Sequence, residues 1–283
     1  MYDLSKILRE KRHDRGSIDF DLEESKILVD EYGFPIDVVL RQREIAERII
    51  EDFMLAANET VAEHFHWMDV PFIYRVHEKP DIEKVQELNR FLWNFGLNIK
   101  ANKDNIYPKE FSKVLEEIKG KEEEKVISTL ILRTLKVARY EAENQGHFGI
   151  ASKFYCHFTS PIRRYPDLQI HRIIKEFLNN KLNSKRQEQL TQIVDYASTQ
   201  SSERERAAEL AERDVHDIYK SRYMADKVGE EYIGIVSSVT SFGFFVMLEN
   251  TIEGLVHVKN LPDFYIYDEK MGTLTGNYSK VVY

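Results

Sequence analysis

The chain has 283 residues, 42% of them apolar and 31% charged, which is enough to bury the core of one large or two smaller compact domains. With 12 Gly and 7 Pro it is neither collagen-like nor low-complexity; no apolar run is long enough for a membrane helix, and the N-terminus lacks the layout of a signal peptide. Cys156 is the single cysteine, which excludes a disulfide framework and a cysteine-rich zinc cluster and fits a reducing cytoplasm, while a net charge of −8 exerts no global pull on nucleic acid.

In chain order, Leu4, Ile7 and Leu8 predict a helix over 3–12. Residues 18–22 alternate as a strand and carry Phe20 between two aspartates, a ring suited either to stacking on a base or to core packing. Residues 26–30 and 35–40 flank Glu31-Tyr32-Gly33-Phe34 and read as a hairpin. A helix is expected over 41–65, with Ile45, Ile49, Phe53 and Ala57 as its apolar stripe. Glu51 and Asn58, two turns apart on that helix, share a polar face that could reach sugar hydroxyls in a groove or simply face water. A strand over 72–76 and helices over 81–95, 108–118 and 121–142 follow. Two further helices span 161–179 and 184–226, the second so charged that a bend or break is expected. At Val228-Gly229 the period switches to alternation, with strands over 232–239, 242–248 and 254–258.

The densest polar motif is His157-Phe-Thr-Ser-Pro-Ile-Arg-Arg-Tyr-Pro-Asp167. Ser160 before Pro161 predicts a helix N-cap and N1. Free N–H groups there favour an anion, and Arg163 and Arg164 lie against the helix dipole, which makes sense if a phosphate shares the site. Pro166 requires that the helix either kinks or starts there. Asp167 and His171, at i+4 and i+8 from Arg163, are placed to orient its guanidinium. The plainer alternative is a solvated helix start with ordinary ion pairs. His64 and His66 point to different sides of a helix and make a poor metal pair, and Cys156-His157 lacks a third orienting group for nucleophilic chemistry. Phe242, Phe245 and His257 fit either a stacking platform on a small β-domain or its core.

Tyr155-Cys-His-Phe-Thr-Ser-Pro-Ile-Arg-Arg-Tyr-Pro-Asp167 with His171-Arg172 resembles the signature of the ribonuclease II/ribonuclease R family, in its bacterial ribonuclease R branch. Arg15-Gly-Ser-Ile-Asp-Phe-Asp21, residues 45–58, Gly146-His-Phe-Gly149 and Ala211-Glu-Arg-Asp214 extend the likeness, and the last region resembles an OB-fold RNA-binding repeat. The resemblance implies an α+β fold: the mostly helical C-terminal portion of an RNB catalytic domain over 1–227, then a truncated, incomplete OB-type barrel over 228–283. It implies a processive 3′→5′ exoribonuclease releasing nucleoside 5′-monophosphates from single-stranded RNA 3′ ends, cytoplasmic, monomeric and without a membrane partner. Arg163 and Glu212 become the implied catalytic residues, and Phe20, Glu51, Arg164, Phe242, Phe245 and His257 the RNA-binding ones. The family's Mg²⁺ ligands, an aspartate cluster D-x5-D-x-D-D, do not occur in the sequence, so no metal ligand is expected here. On that ground the chain alone is expected to be an inactive piece of a longer enzyme, and a non-catalytic single-stranded RNA-binding protein is the alternative.

Overall fold

The computed structural model describes residues 1–20, 24–41, 44–102, 105–121, 123–268 and 272–283. The chain forms two compact units, Met1–Asp21 with Arg43–Glu209, and Leu22–Gln42 with Leu210–Tyr283.

In the first unit, α1 (Tyr2–Asp14) lies on α2 (Ile45–Trp67). The joint is one buried carboxylate: Asp52 accepts hydrogen bonds from Ser5 Oγ at 2.7 Å, Arg9 at 2.7 Å and Arg12 at 3.0 Å. α2 starts later than expected, with Glu44 and Glu47 forming a reciprocal capping box, because Arg41 still donates its backbone N–H to Glu24 in the preceding hairpin. The strand expected over 18–22 is absent from 18–20, and residues 21 and 22 lie outside the described set. Gly16 turns the chain out of α1 at φ +91°, where a Cβ would meet Lys109 Cβ at 2.5 Å, and Ile18 N–H then bonds Gly149 rather than a strand.

α3 (Ile82–Leu92), a single tight turn at Trp93–Phe95, α4 (Pro108–Ile118) and α5 (Glu124–Thr134) enclose a first core. Phe111, Val114 and Ile118, and likewise Ile127 and Ile131, fill it at helical spacing. Each such fully buried side chain stabilises the fold by about 1.5–3 kcal/mol. The helix expected to run to residue 142 ends at Thr134. Arg139–Glu141 instead forms β4, antiparallel to β3 (Tyr74–Val76), with Arg75 opposite Tyr140. That pairing satisfies both short backbones and buries Tyr140 in a second core with Phe65, Phe72, Cys156, Ile170 and Leu190. α6 (Tyr165–Leu178) and α7 (Ser184–Ala225) complete the unit's elements. α7 is one uninterrupted 42-residue helix, not the broken one expected. It contains no Gly or Pro and is rich in strong helix formers, so its charge does not interrupt it.

The second unit contains the hairpin β1 (Ser25–Val29) and β2 (Pro35–Leu40), whose turn is closed by Asp30 accepting from Tyr32 and Phe34 N–H. It also contains the three-stranded antiparallel sheet β5 (Gly234–Thr240), β6 (Gly243–Leu248) and β7 (Glu253–His257). A further pair, β8 (Tyr265–Asp268) and β9 (Thr273–Gly276), was not anticipated; Val282 bridges to Thr275. The strands do not close into a barrel among the described residues. Within this unit Tyr223 donates to Asp37 at 3.3 Å and Lys220 to the Thr251 carbonyl at 3.1 Å, tying hairpin and sheet to the end of α7. No helix among the described residues is long and apolar enough to cross a membrane.

Burial raises the Asp52 carboxyl, but hydrogen bonds from Arg9, Ser5 and Arg12 outweigh it and hold the group below its ordinary value of 3.8. Its contribution to stability is therefore full above about pH 4 and is lost as the pH falls through the lowered folded value. Asp52→Asn should cost about 3 kcal/mol in urea denaturation at pH 7, with a much smaller difference from the parent chain near pH 2.

Candidate functional site

Asn58 organises the site from the inner face of α2. Its Nδ2 donates to the Tyr155 hydroxyl at 3.2 Å, its Oδ1 accepts from Phe158 N–H at 3.0 Å, and its carbonyl accepts from Cys156 Sγ at 3.3 Å. Tyr155–Phe158 is thereby laid along α2, and Arg75 N–H fixes it from the other side at 2.9 Å. The Asn58 amide is neither free for sugar hydroxyls nor turned to water, the two alternatives its helix position offered, but is spent on the fold. Glu51, on the same helix face, stays exposed. A cavity of about 540 Å³ opens here, lined by Ile50, Glu51, Met54, Asn58, Tyr155 and Arg164. Its walls are mostly aliphatic and aromatic, with the carboxylates of Glu47 and Glu51 and the Arg164 guanidinium among them.

Of the two readings that Pro166 left open, the second holds: the helix begins at Tyr165 and not at Pro161, and residues 160–164 form a turn. The cause is Asp167, in the first turn of α6 and without exposed surface. Its carboxylate accepts from Ser160 N–H at 2.7 Å and pairs with Arg164 through contacts of 2.9 and 2.9 Å. Pro166 sits in the first turn, where its missing N–H costs nothing. Asp167 thus holds Arg164, not Arg163 as the spacing suggested. His171 does not orient a guanidinium either; its Nε2 lies 2.9 Å from the Phe158 carbonyl and its ring stacks on Phe158 at 4.3 Å. Arg163 is exposed, and its side chain has no hydrogen bond or ion pair among the described residues. The result is one arginine locked into the cavity wall and one left available beside it.

Three residues that the motif reading missed support this turn. Tyr140 lies 2.9 Å from His157 Nδ1, Glu205 pairs with Arg75 and sits 3.5 Å from the Tyr140 hydroxyl, and Ser202 Oγ accepts from Tyr140 N–H at 2.9 Å. Burial, then the charges of Arg164 and Arg75, push the His157 imidazole down to about 2, so the ring is neutral. Burial also pushes the Cys156 thiol up, which leaves it protonated and unreactive. These partners come from β3, β4 and α7, far apart in sequence, and no local spacing announces them.

The other expected residues are distributed as follows. Phe20 is half-buried and packs against the first core. Glu212 is exposed on the part of α7 that belongs to the second unit and does not line this cavity. Phe242 and Phe245 meet edge to face, with centroids 6.4 Å apart. Gly243 faces His257 across the strands, and a Cβ at Gly243 would lie 2.3 Å from the Val256 carbonyl. By the register, Phe245, Leu255 and His257 share one sheet face, while Phe244 on the other stacks on Tyr283 at 4.3 Å. No group of three or more His, Cys, Asp or Glu among the described residues could hold a metal ion.

Residues 1–180 match the RNB domain family and residues 225–282 the S1 RNA binding domain. The chain is 46% identical over 284 residues to Ribonuclease R 1 of Lactococcus lactis, covering 100% of this chain and 35% of that protein. It is 45% identical over 278 residues to Ribonuclease R of Aquifex aeolicus, covering 98% and 39%. Among solved structures, Mycoplasma genitalium RNase R in complex with ribose-methylated single-stranded RNA superposes with a TM-score of 0.94 at 32% identity, covering 100% of this chain and 45% of that one. The chain spans less than half the length of each of these relatives.

Asp167→Asn leaves Arg164 mostly buried without its counter-charge and should destabilise the chain by about 3–5 kcal/mol in urea denaturation. Cys156 gives an internal report: inert to a thiol reagent in the parent chain, it should label measurably faster in the variant as Tyr155–Phe158 loosens.

Proposed function

The chain belongs to the RNB domain family, and from that premise we propose that it forms the RNA-gripping part of a processive 3′→5′ exoribonuclease that hydrolyses single-stranded RNA to nucleoside 5′-monophosphates. The observation that carries this reading is the convergence of Glu51, Tyr155 and Arg164 on one cavity next in sequence to an exposed Arg163 that has no ion pair among the described residues. Arg163 holds the phosphate at the scissile end and neutralises charge that develops on its oxygens. Glu51 fixes the terminal nucleotide, with Arg164 in the wall and the free face of Phe20 available for stacking. Glu212 keeps the acidic catalytic role that the family likeness implies. Phe242, Phe245 and His257 supply the stacking face of an S1-type module. We take 1–227 as the RNB portion and 228–283 as the S1 portion of a cytoplasmic, monomeric protein.

Mg²⁺ is the ion we assign to the intact enzyme. The residues described here do not fit it, since none form a suitable cluster, and no step on this chain is routed through it. The chain alone should therefore leave a 5′-labelled oligoadenylate intact in Mg²⁺ or Mn²⁺. Laddered shortening that EDTA abolishes would overturn that assignment.

In the longer enzyme of which we take this chain to be a part, Arg163→Lys keeps the charge but removes the bidentate fork. Single-turnover hydrolysis should slow at least about tenfold, ~1.4 kcal/mol of transition-state stabilisation, with a much smaller loss in RNA affinity. Phe242→Ala with Phe245→Ala should do the reverse. Equal losses in rate and affinity for Arg163→Lys would favour a binding protein over an enzyme.

A further inference from the structure

We propose that His157 is a ligand, beside Arg163, of the phosphate held by this site, a neutral N–H donor whose tautomer is set by Tyr140. The proposal rests on reading the Arg163–Arg164 turn as a phosphate site. Tyr155–Phe158 is held along α2 by Asn58, which bonds Tyr155, Cys156 and Phe158. Cys156 is fully buried, whereas Tyr155 lines the cavity and His157 lies edge to face with it at 5.7 Å. His157 thus packs on a residue of the cavity wall, three residues before the turn that carries both arginines.

The protons on its ring follow from its partners. The Tyr140 hydroxyl has one proton and two candidate acceptors, His157 Nδ1 at 2.9 Å and Glu205 at 3.5 Å. Glu205 is already paired with Arg75, and the shorter bond takes the proton. Nδ1 is then the acceptor and Nε2 carries the hydrogen. Nε2 has no partner among the described residues and is not among the enclosed polar atoms that lack one. An accessible N–H donor is thus left without a partner among the described residues. Burial, and then the charges of Arg164, Arg75 and Arg163, keep the imidazole neutral, so it adds direction without adding charge. That suits an oxygen whose charge Arg163 already meets.

Two measurements on the full chain decide the matter. In ¹⁵N-histidine-labelled protein, His157 should show the Nε2–H tautomer, and Tyr140→Phe should shift it; an Nδ1–H ring in the parent chain overturns the proposal. Affinity for a 5′-fluorescein octaadenylate with a free 3′ hydroxyl is read in a Phe242→Ala/Phe245→Ala background, which removes the second unit's stacking contribution. There His157→Ala should weaken binding about tenfold, and His157→Gln, which returns an amide N–H near the Nε2 position, should recover affinity to within about threefold of the background. Cys156 protection from a thiol reagent verifies that each variant is folded. Loss with Arg163→Ala but none with His157→Ala overturns the role of His157 alone. No loss with either overturns the phosphate site itself.

Discussion

Asp167 is a carboxylate with no exposed surface, and the site takes its form from what that carboxylate must satisfy. A buried charge is tolerated only when it is paired and hydrogen-bonded. Asp167 meets that demand with Ser160 N–H and the Arg164 guanidinium, and in doing so bends residues 160–164 into a turn and delays α6 to Tyr165. One arginine is consumed as the counter-charge. The other, Arg163, is left exposed on the turn and has no ion pair among the described residues. Asn58 plays the same part on the opposite side by clamping Tyr155–Phe158 to α2. Two buried polar groups thus set the geometry, and the exposed groups, Glu51 and Arg163, are those free to act.

The elements legible in the sequence are those with long, regular periodicity. α4 begins and ends where its Phe111, Val114 and Ile118 spacing and Pro108 indicate, and the hairpin lies where Gly33 and Pro35 punctuate it. The failures share a cause, which is that tertiary partners override local pattern. Residues 135–142 continue a helical pattern, yet β3 recruits Arg139–Glu141 as its partner strand. Ile18 looks like strand and is instead bonded to Gly149. β8 and β9 are four residues each, too short for alternation to register. α7 shows the opposite error, since its charge suggested a break that its composition does not require.

The site was partly legible for the same reason. Glu51 and Arg164 can be picked out because they sit in dense local motifs, and the structure brings both to one cavity. The partner of Asp167 could be guessed only by spacing, and spacing chose Arg163 because it assumed a continuous helix. Tyr140 and Glu205 lie 17 and 48 residues from His157 in opposite directions, and only the folded chain puts them beside it. In the second unit the strand register, not the motif, separates Phe245 and His257 on one face from Phe244 on the other.

The central claim is that the 3′ end of an RNA strand sits in the cavity between α2 and the Asp167-held turn. Photo-crosslinking of the chain to a single-stranded oligonucleotide ending in 4-thiouridine, with the attached peptides identified by mass spectrometry, tests it directly. The account predicts crosslinks from the terminal base to peptides containing Glu51 and Met54 or Tyr155, with loss of these crosslinks in Arg163→Ala. Crosslinks confined to the Phe242–His257 peptides, unchanged by Arg163→Ala, would contradict it.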